Sequence, residues 1–350
     1  MKKIRVLLLA GGQSEEHEVS IMSARSVITA CAHTELEITP AVITRQGRWL
    51  SPHESTKALS DGRAVGGGEL TIDSAKFTQG FDVVFPLIHG TTGEDGRLQG
   101  LLELAGVPYV GSGVLASALT MDKAMFKDVC RAHGIPQTDY RLVNEAAWAR
   151  DPSLALAKCQ EMPAPWFVKP SNSGSSVGIN KARNKDELKK AIEAAFVFDR
   201  RVIVEQAVHG ARELETAILG NDNPQISGVG EITYDAEFYD YESKYTEGRS
   251  AMHIPADVPP HVAERMRTIA LHAYELSDAA GYSRVDFFYV PETEALLLNE
   301  INTIPGFTPF SMFSKLWEAS GIPYAELVKR MIALAIERHQ QTKMRAHISK

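Results

Sequence analysis

The opening stretch IRVLLLAGG, residues 4–12, constrains the fold most tightly. A short apolar run broken by paired glycines is too brief for a buried helix and reads as a buried strand ending in a turn. A helical pattern follows from about His17 to Cys31. Strand, glycine turn and helix together open an α/β unit. The layout repeats with a strand around 38–44 and another in DVVFPLIHG, 82–90. LQGLLELAG, 98–106, reads as a helix closed by a C-cap glycine, and VPYVGSG, 107–113, as a strand entering a loop. Residues 1–120 are therefore expected to form an open, mostly parallel sheet, with ligands at the C-terminal ends of its strands.

Further along, Thr120 is placed to cap a helix from Met121 to His133, with Gly134 as its stop. WFVKP and RVIVEQAV read as strands flanking a charged helix at about 185–198. ETAILG and GVGEI continue in strands, and 235–253 is polar, tyrosine-rich and aperiodic, like a lid. A helix at about 259–280 leads into YSRVDFFYV and ALLLNEINT, a hairpin, and a helix from about 323 to 340 precedes a basic tail. At roughly 100–200 residues per domain, 350 residues imply two or three domains.

Several function classes are set aside. A net charge of −7 with no basic stripe does not suit a general nucleic-acid binder. Cys31, Cys130 and Cys159 form no CxxC, so they are expected as buried thiols. The apolar run at 6–10 is too short for a signal peptide, and no run approaches the roughly 18 residues of a membrane span, which makes the cytoplasm the expected location.

Two segments carry chemistry. KPSNSGSSVG, 169–178, places a lysine at a strand end before a loop of small residues, whose backbone N–H groups and hydroxyls can approach phosphate oxygens. It is either a phosphate cradle or a serine-rich surface turn; it is not a Walker A loop, since that motif occurs nowhere in the sequence. GSGVLA, 111–116, partly matches a dinucleotide fingerprint but is read as a structural turn. In the hairpin, Arg284 and Asp286 share one strand face, as do Glu300 and Asn302. Buried charge demands a partner. An odd connection of three or five residues near Pro291–Ala295 would align Asp286 with Glu300, whereas an even one would oppose their faces. If aligned, the set is a hard oxygen site suited to Mg²⁺; the alternative is a structural Arg284–Asp286 ion pair.

GGQSEEHEVS, HGTTGEDG, MDK, VKPSNSGSSVG, VEQ, YDYESKY, SRVDFF and NEINTIPGFTPFS occur in this order from residue 11 to 320. The string resembles the D-alanine–D-alanine ligase family of the ATP-grasp superfamily. The resemblance implies a mixed α/β and α+β fold of three domains: an N-terminal α/β substrate-binding domain (1–120), a central ATP-grasp subdomain (121–212) and a C-terminal catalytic domain (213–350). It implies ATP with magnesium or manganese, two ions per site, and a homodimer. Lys123 and Lys169 would contact the phosphates, the strand of Glu205 would present backbone groups to adenine, and Glu213 would bind ribose. Asp286, Glu300 and Asn302 would hold the metal. Glu18, with Ser175 and Tyr245, would receive the ammonium of the first D-alanine. His89, Ser176 and Lys244 would contact substrate, and Ser311, at a helix start, would hold the second D-alanine. Arg284 and the N–H of Gly306 would stabilise the oxyanion. The implied product is the dipeptide used in peptidoglycan precursors. The rival readings are another ATP-grasp carboxylate–amine ligase, including one forming a depsipeptide, a non-catalytic nucleotide sensor on the same fold, and a nicotinamide oxidoreductase.

Overall fold

The computed structural model describes residues 3–62, 77–174, 177–234 and 250–348. Three sheets organise these residues. The first is built from β1 (Ile4–Gly11), β2 (Leu36–Ile43) and β3 (Val83–Pro86), in the order β2-β1-β3 and parallel throughout. Between β1 and β2 runs α1 (His17–Ala30), followed after β2 by α2 (Pro52–Asp61). The strand order reverses at β1, so the loops after β1 and β3 open on one crevice, where ligands of such sheets bind. Ser20 ties the two strand ends together: its hydroxyl accepts from the Gly11 N–H at 2.7 Å and donates to the Leu87 carbonyl. The VPYVGSG stretch contributes only a single parallel bridge, Tyr109 to Val84, rather than a full strand.

After α3 (Arg97–Ala105), residues read above as a turn are helical: α4 is Val114–Met121. The next helix, α5 (Lys123–Ala132), begins two residues later than expected, because its cap is Asp122 rather than Thr120. The Thr120 hydroxyl instead donates back to the Ala116 carbonyl, whereas Asp122 accepts from the Met125 N–H at 3.0 Å. Asp122 also receives the Ser171 hydroxyl at 2.7 Å and the Arg201 guanidinium. One carboxylate thus fixes the start of α5 against the serine loop.

The second sheet has the order β4-β7-β5-β6 and is antiparallel, from β4 (Tyr140–Asn144), β5 (Trp166–Pro170), β6 (Asn180–Ala182) and β7 (Arg201–Gln206). Helices α6 (Glu145–Arg150), α7 (Pro152–Cys159) and α8 (Lys185–Ala195) enclose its own core around Trp148, Trp166 and Ile192. The third sheet, also antiparallel, has the order β10-β9-β8-β11-β12: β8 (Arg212–Gly220), β9 (Gln225–Tyr234), β10 (Ser250–His253), β11 (Gly281–Val290) and β12 (Ala295–Asn302). Helix α9 (Pro260–Leu276) covers one face, joined by Ala116 of α4 and Phe126 of α5. The opposite face is apolar at Ala217, Leu219 and Tyr282. There α10 (Met312–Ala319) and α11 (Tyr324–Ile348) complete a core shared with the first sheet. The basic tail therefore continues a helix rather than trailing from one.

The β11–β12 hairpin settles the parity question by an unforeseen route. Its connection, 291–294, has an even number of residues, which alone would set Asp286 opposite Asn299. The register shifts between Asp286 and Phe287, pairing Phe287 with Leu298 but Asp286 with Glu300. Asn299 is the extra residue of a β-bulge, and bulges re-aim side chains in this way. In consequence Leu298 and Ile301, on either side of it, both enter the core, while Asp286 and Glu300 face the same way.

Candidate active site

The three sheets meet at a cleft of about 650 Å³, a volume typical of small-molecule sites. Its floor on the third sheet follows from strand alternation. Glu213 and Glu215 on β8, Arg284 and Asp286 on β11, and Glu300 and Asn302 on β12 share one face and line the cleft. Arg284 donates to Asp286 in a fork, Nε to Oδ1 and Nη2 to Oδ2, both at 2.7 Å. Its Nε also lies 2.9 Å from Glu215 Oε2. The Arg284–Asp286 ion pair considered as the structural alternative is therefore present, within the same cluster as the aligned carboxylates. Asn302 Nδ2 donates to Asp286 Oδ2 at 2.9 Å.

Asp286 and Glu300 in register, with the Asn302 amide beside them, supply hard oxygen donors that fit a divalent cation such as Mg²⁺. Glu215 gives Arg284 a second carboxylate to hold should Asp286 turn to a cation. Among the described residues no three His, Cys, Asp or Glu side chains group as a metal cluster. The fit therefore rests on two carboxylates and an amide, with the remaining positions left to ligand and water.

The opposite wall belongs to the second sheet and α5. Lys123 Nζ donates to the Ser173 carbonyl at 2.5 Å and stands 3.8 Å from Glu300 Oε2, so one ammonium links the serine loop to the late hairpin. Lys169, at the end of β5, donates to Glu205 Oε2 at 2.6 Å. Glu205 Oε1 receives Lys127 Nζ at 3.1 Å. Burial opposes ionisation of Glu205, but the Lys127 and Lys169 ammoniums outweigh it and hold the carboxyl down to about 2. Glu213 accepts the Tyr234 hydroxyl at 2.6 Å. Gly306 and Ser311 lie side by side on the rim, and the Ser311 hydroxyl accepts from the Thr308 N–H at 3.0 Å. Ser311 occupies the N-cap position of α10, yet its side chain makes no cap bond.

Two expected residues do not face the cleft. Glu18 points outward and pairs with Arg45; its side chain is 55% exposed. Glu16, two residues earlier, lines the cleft instead. A Cβ added to Gly90 would sit 2.7 Å from Glu16 Oε2, and one on Gly174 3.0 Å away. Glycine at both positions lets this carboxylate lie between the first sheet and the serine loop. His89 is 1% exposed and buried behind the crevice. Its Nδ1 meets the Ile304 carbonyl at 2.8 Å and its Nε2 the Ser23 hydroxyl at 3.1 Å. Burial pushes its pKa down, favouring the neutral ring. Ser175, Ser176, Lys244 and Tyr245 lie outside the described residues.

Four residues absent from the sequence expectations complete the arrangement: Glu16, Lys127, Glu215 and Glu94. Glu94 lines the cleft and accepts from the Gly90 N–H at 2.8 Å and the Ile304 N–H at 3.1 Å. His89 at the Ile304 carbonyl and Glu94 at the Ile304 N–H thus hold the backbone on both sides of this residue and set the segment leading to Gly306. Burial, followed by the charge of Glu16, pushes the Glu94 carboxyl up to about 8. The signals for two of the four were in the sequence. Glu215 alternates with Glu213 in RELE, and Glu18 falls on the exposed helical row Met22–Arg25–Thr29 whereas Glu16 does not.

The comparisons with known proteins agree with this geometry. Residues 5–112 match the family model described as D-ala D-ala ligase N-terminus, and residues 129–333 that described as D-ala D-ala ligase C-terminus. The D-alanine–D-alanine ligase of Deinococcus radiodurans is 56% identical over 336 residues, covering 96% of this chain and 99% of that protein. The ligase of the same name from Bacillus cytotoxicus is 44% identical, covering 97% and 98%. Among solved structures, the D-alanine-D-alanine ligase from Coxiella burnetii superposes with a TM-score of 0.83 at 36% identity, covering 99% of this chain and 98% of that one. The VanG D-Ala:D-Ser ligase from Enterococcus faecalis superposes with a TM-score of 0.82 at 33% identity, covering 95% and 99%. With both halves matched and a relative this similar along nearly its full length, the chain belongs to the D-alanine–D-alanine ligase family.

Proposed function

We propose that this protein condenses two D-alanines at the expense of ATP, through a D-alanyl phosphate, to give ADP, phosphate and D-alanyl-D-alanine. The observation that carries the reading is Lys123, whose ammonium spans the Ser173 carbonyl and the Glu300 carboxylate. A cation at this point, between a small-residue loop and a carboxylate pair, is what a nucleotide's phosphates and their metal require.

In the first step, a carboxylate oxygen of the first D-alanine attacks the γ-phosphorus, and the bond from that phosphorus to the β–γ bridging oxygen breaks. In the second, the amine of the second D-alanine attacks the acyl carbon, phosphate departs with the C–O bond electrons, and the amine's proton passes to phosphate or solvent. Lys123 and Lys169 neutralise the phosphates. Glu205's strand offers adenine its backbone, and Glu213 the ribose. Asp286, Glu300 and Asn302 would hold magnesium or manganese, two ions in the family's pattern; when bound, the metal neutralises charge on the transferring phosphoryl group. Arg284 and the N–H of Gly306 stabilise the oxyanion, and Ser311 orients the second D-alanine's carboxylate. Glu16, rather than Glu18, takes the first substrate's ammonium. His89 positions the Ile304 peptide instead of touching substrate. In this reading Ser175 and Tyr245 keep their expected role as hydrogen-bond partners of the ammonium-binding carboxylate, and Ser176 and Lys244 their expected contact with substrate.

A division into units near 1–120, 121–212 and 213–350, a homodimer, and a cytoplasmic location belong to the same proposal. No helix among the described residues is long and apolar enough to cross a membrane. The decisive assay is phosphate release from ATP with D-alanine, L-alanine, D-serine or D-lactate. Release with D-alanine and formation of the dipeptide are expected, and release with L-alanine only, or with neither alanine, would overturn the reading. Preference for D-serine or D-lactate in the second position would keep the chemistry and change the product.

A further inference from the structure

The nucleotide wall holds a lysine that the reaction does not touch. Lys127 is 2% exposed, sits on α5 one turn beyond Lys123, and does not line the cleft. Its ammonium meets Glu205 Oε1 at 3.1 Å and donates to the Thr138 hydroxyl at 2.9 Å. The other Glu205 oxygen takes Lys169 at 2.6 Å. Lys169 and Glu205 both line the cleft. Two ammoniums thus share one carboxylate, each on its own oxygen, with one lysine lining the cleft and the other buried behind.

The arrangement poses a charge-balance problem only when the cleft fills. If Lys169 turns to a phosphate oxygen, Glu205, 3% exposed, gives up its shorter ion pair. A buried carboxylate stripped of its cation is strongly unfavourable, and that cost would be charged against nucleotide binding. Lys127 prevents it. Tethered by Thr138 and buried behind the residues that line the cleft, it stays with Glu205 when Lys169 leaves. We propose that Lys127 is a positioning residue that keeps Glu205 paired and so allows Lys169 to exchange Glu205 for the polyphosphate of a nucleotide. The proposal rests on the assignment of this cleft to ATP.

The test uses the full-length enzyme and three variants: Lys127→Met, Glu205→Gln, and the two combined. ATP affinity is read by titration calorimetry with magnesium present, and KM values for ATP and D-alanine by phosphate release. Lys127→Met is expected to weaken ATP binding about tenfold or more, because Lys169 is then held by a carboxylate with no other cation; tenfold corresponds to ~1.4 kcal/mol. The KM for D-alanine at saturating ATP should stay within about twofold. The double variant should bind ATP more tightly than Lys127→Met alone, since the stranded carboxylate is gone. A buried lysine with a merely structural role would not yield that rescue.

Unchanged ATP affinity in Lys127→Met, or a double variant no better than the single one, overturns the proposal. If Lys127→Met does not fold, Thr138→Val removes the tether. Because Thr138 also lines the cleft, Thr138→Ser, which keeps the hydroxyl, is its control and should bind ATP as the wild type does. Thr138→Val should bind about threefold more weakly, and an unchanged affinity in Thr138→Val overturns the proposal equally. Failure of the wild type to bind ATP would sink the assignment of the cleft itself, which is a separate result from wild-type binding with an indifferent Lys127→Met.

Discussion

The two walls of the cleft solve opposite electrostatic problems. On the second-sheet side, Lys127 and Lys169 converge on the single carboxylate of Glu205, with Lys123 at the head of α5 nearby. On the third-sheet side, Glu215 and Asp286 converge on the single guanidinium of Arg284, with Glu213 and Glu300 on the same face. One wall is rich in cations and the other in carboxylates. A polyanion accompanied by hard cations satisfies both at once, and neither wall alone specifies it. The difference teaches that the chemistry resides in how the sheets are juxtaposed, because each wall taken singly is an ordinary buried ion-pair network.

The strongest way to break the comparison is Arg284→Ala. Loss of one oxyanion donor typically costs about 10²–10³ in kcat, and under the proposed role of Arg284 its loss also removes the guanidinium on which Glu215 and Asp286 converge. Turnover should fall by at least that factor, while ATP binding, measured by calorimetry, stays largely intact. Near-normal turnover would refute the assignment of Arg284 to the oxyanion.

The walls should also differ in stability. Glu205→Ala leaves two buried ammoniums without their carboxylate and is expected to destabilise by ~3–5 kcal/mol. Glu300→Ala removes a side chain that is 28% exposed and 3.8 Å from Lys123; a pair this long and this wet should cost about 1 kcal/mol or less. Urea denaturation of both variants compares them directly, and equal losses would dissolve the contrast.

Titration sharpens it further, with opposite signs. The Glu205 carboxyl is held down to about 2 in the folded protein, against burial, by Lys127 and Lys169. A depressed folded value stabilises above the unfolded value of roughly 4.5, and that contribution fades as pH falls from there towards 2. Glu94 runs the other way. Burial and Glu16 raise its carboxyl to about 8, so its contribution is complete below the unfolded value and is lost as pH rises through 8. Denaturation midpoints of Glu205→Gln and Glu94→Gln against wild type, followed from acid to alkaline pH, should show the first difference shrinking in acid and the second variant gaining on wild type in alkali.

Much of this architecture could be read from local pattern. The apolar run at 4–10 and the alternation in RVDFFYV depend only on neighbours in sequence, so strand existence and face were legible. What escaped depends on distant partners. Asp122 wins the helix start from Thr120 because it also binds Ser171 and Arg201, contacts that no local pattern reveals. The Asn299 bulge is likewise a tertiary choice: an even connection would turn Glu300 into the core, and the extra residue restores it to the cleft. The two-lysine wall was half visible. Lys169 at a strand end suggested phosphate, but Lys127 reads in sequence as one more charge on an amphipathic helix until Glu205 is brought beside it.

The smallest expected effect concerns Glu18, and it tests how far a motif can be read without its helical phase. Glu16 is the N-cap residue of α1 and Glu18 lies in its first turn, two positions on, and the two side chains point different ways. Glu16 reaches Gly90 and Gly174 in the crevice, whereas Glu18 meets Arg45 in an exposed pair. Exposed pairs contribute about 0–1 kcal/mol, so Glu18→Gln should lower stability by no more than that and leave both kcat and the D-alanine KM values unchanged within error. Glu16→Gln, by contrast, removes the anion proposed to hold the substrate ammonium, and on that proposal should raise the KM of the first D-alanine about tenfold or more, since losing a charged hydrogen bond is worth ~1.5–3 kcal/mol. If the substitution at Glu18 instead proves the damaging one, then helix α1 must rotate or unwind when substrate binds, and the first-sheet crevice seen here is not the arrangement in which the enzyme works.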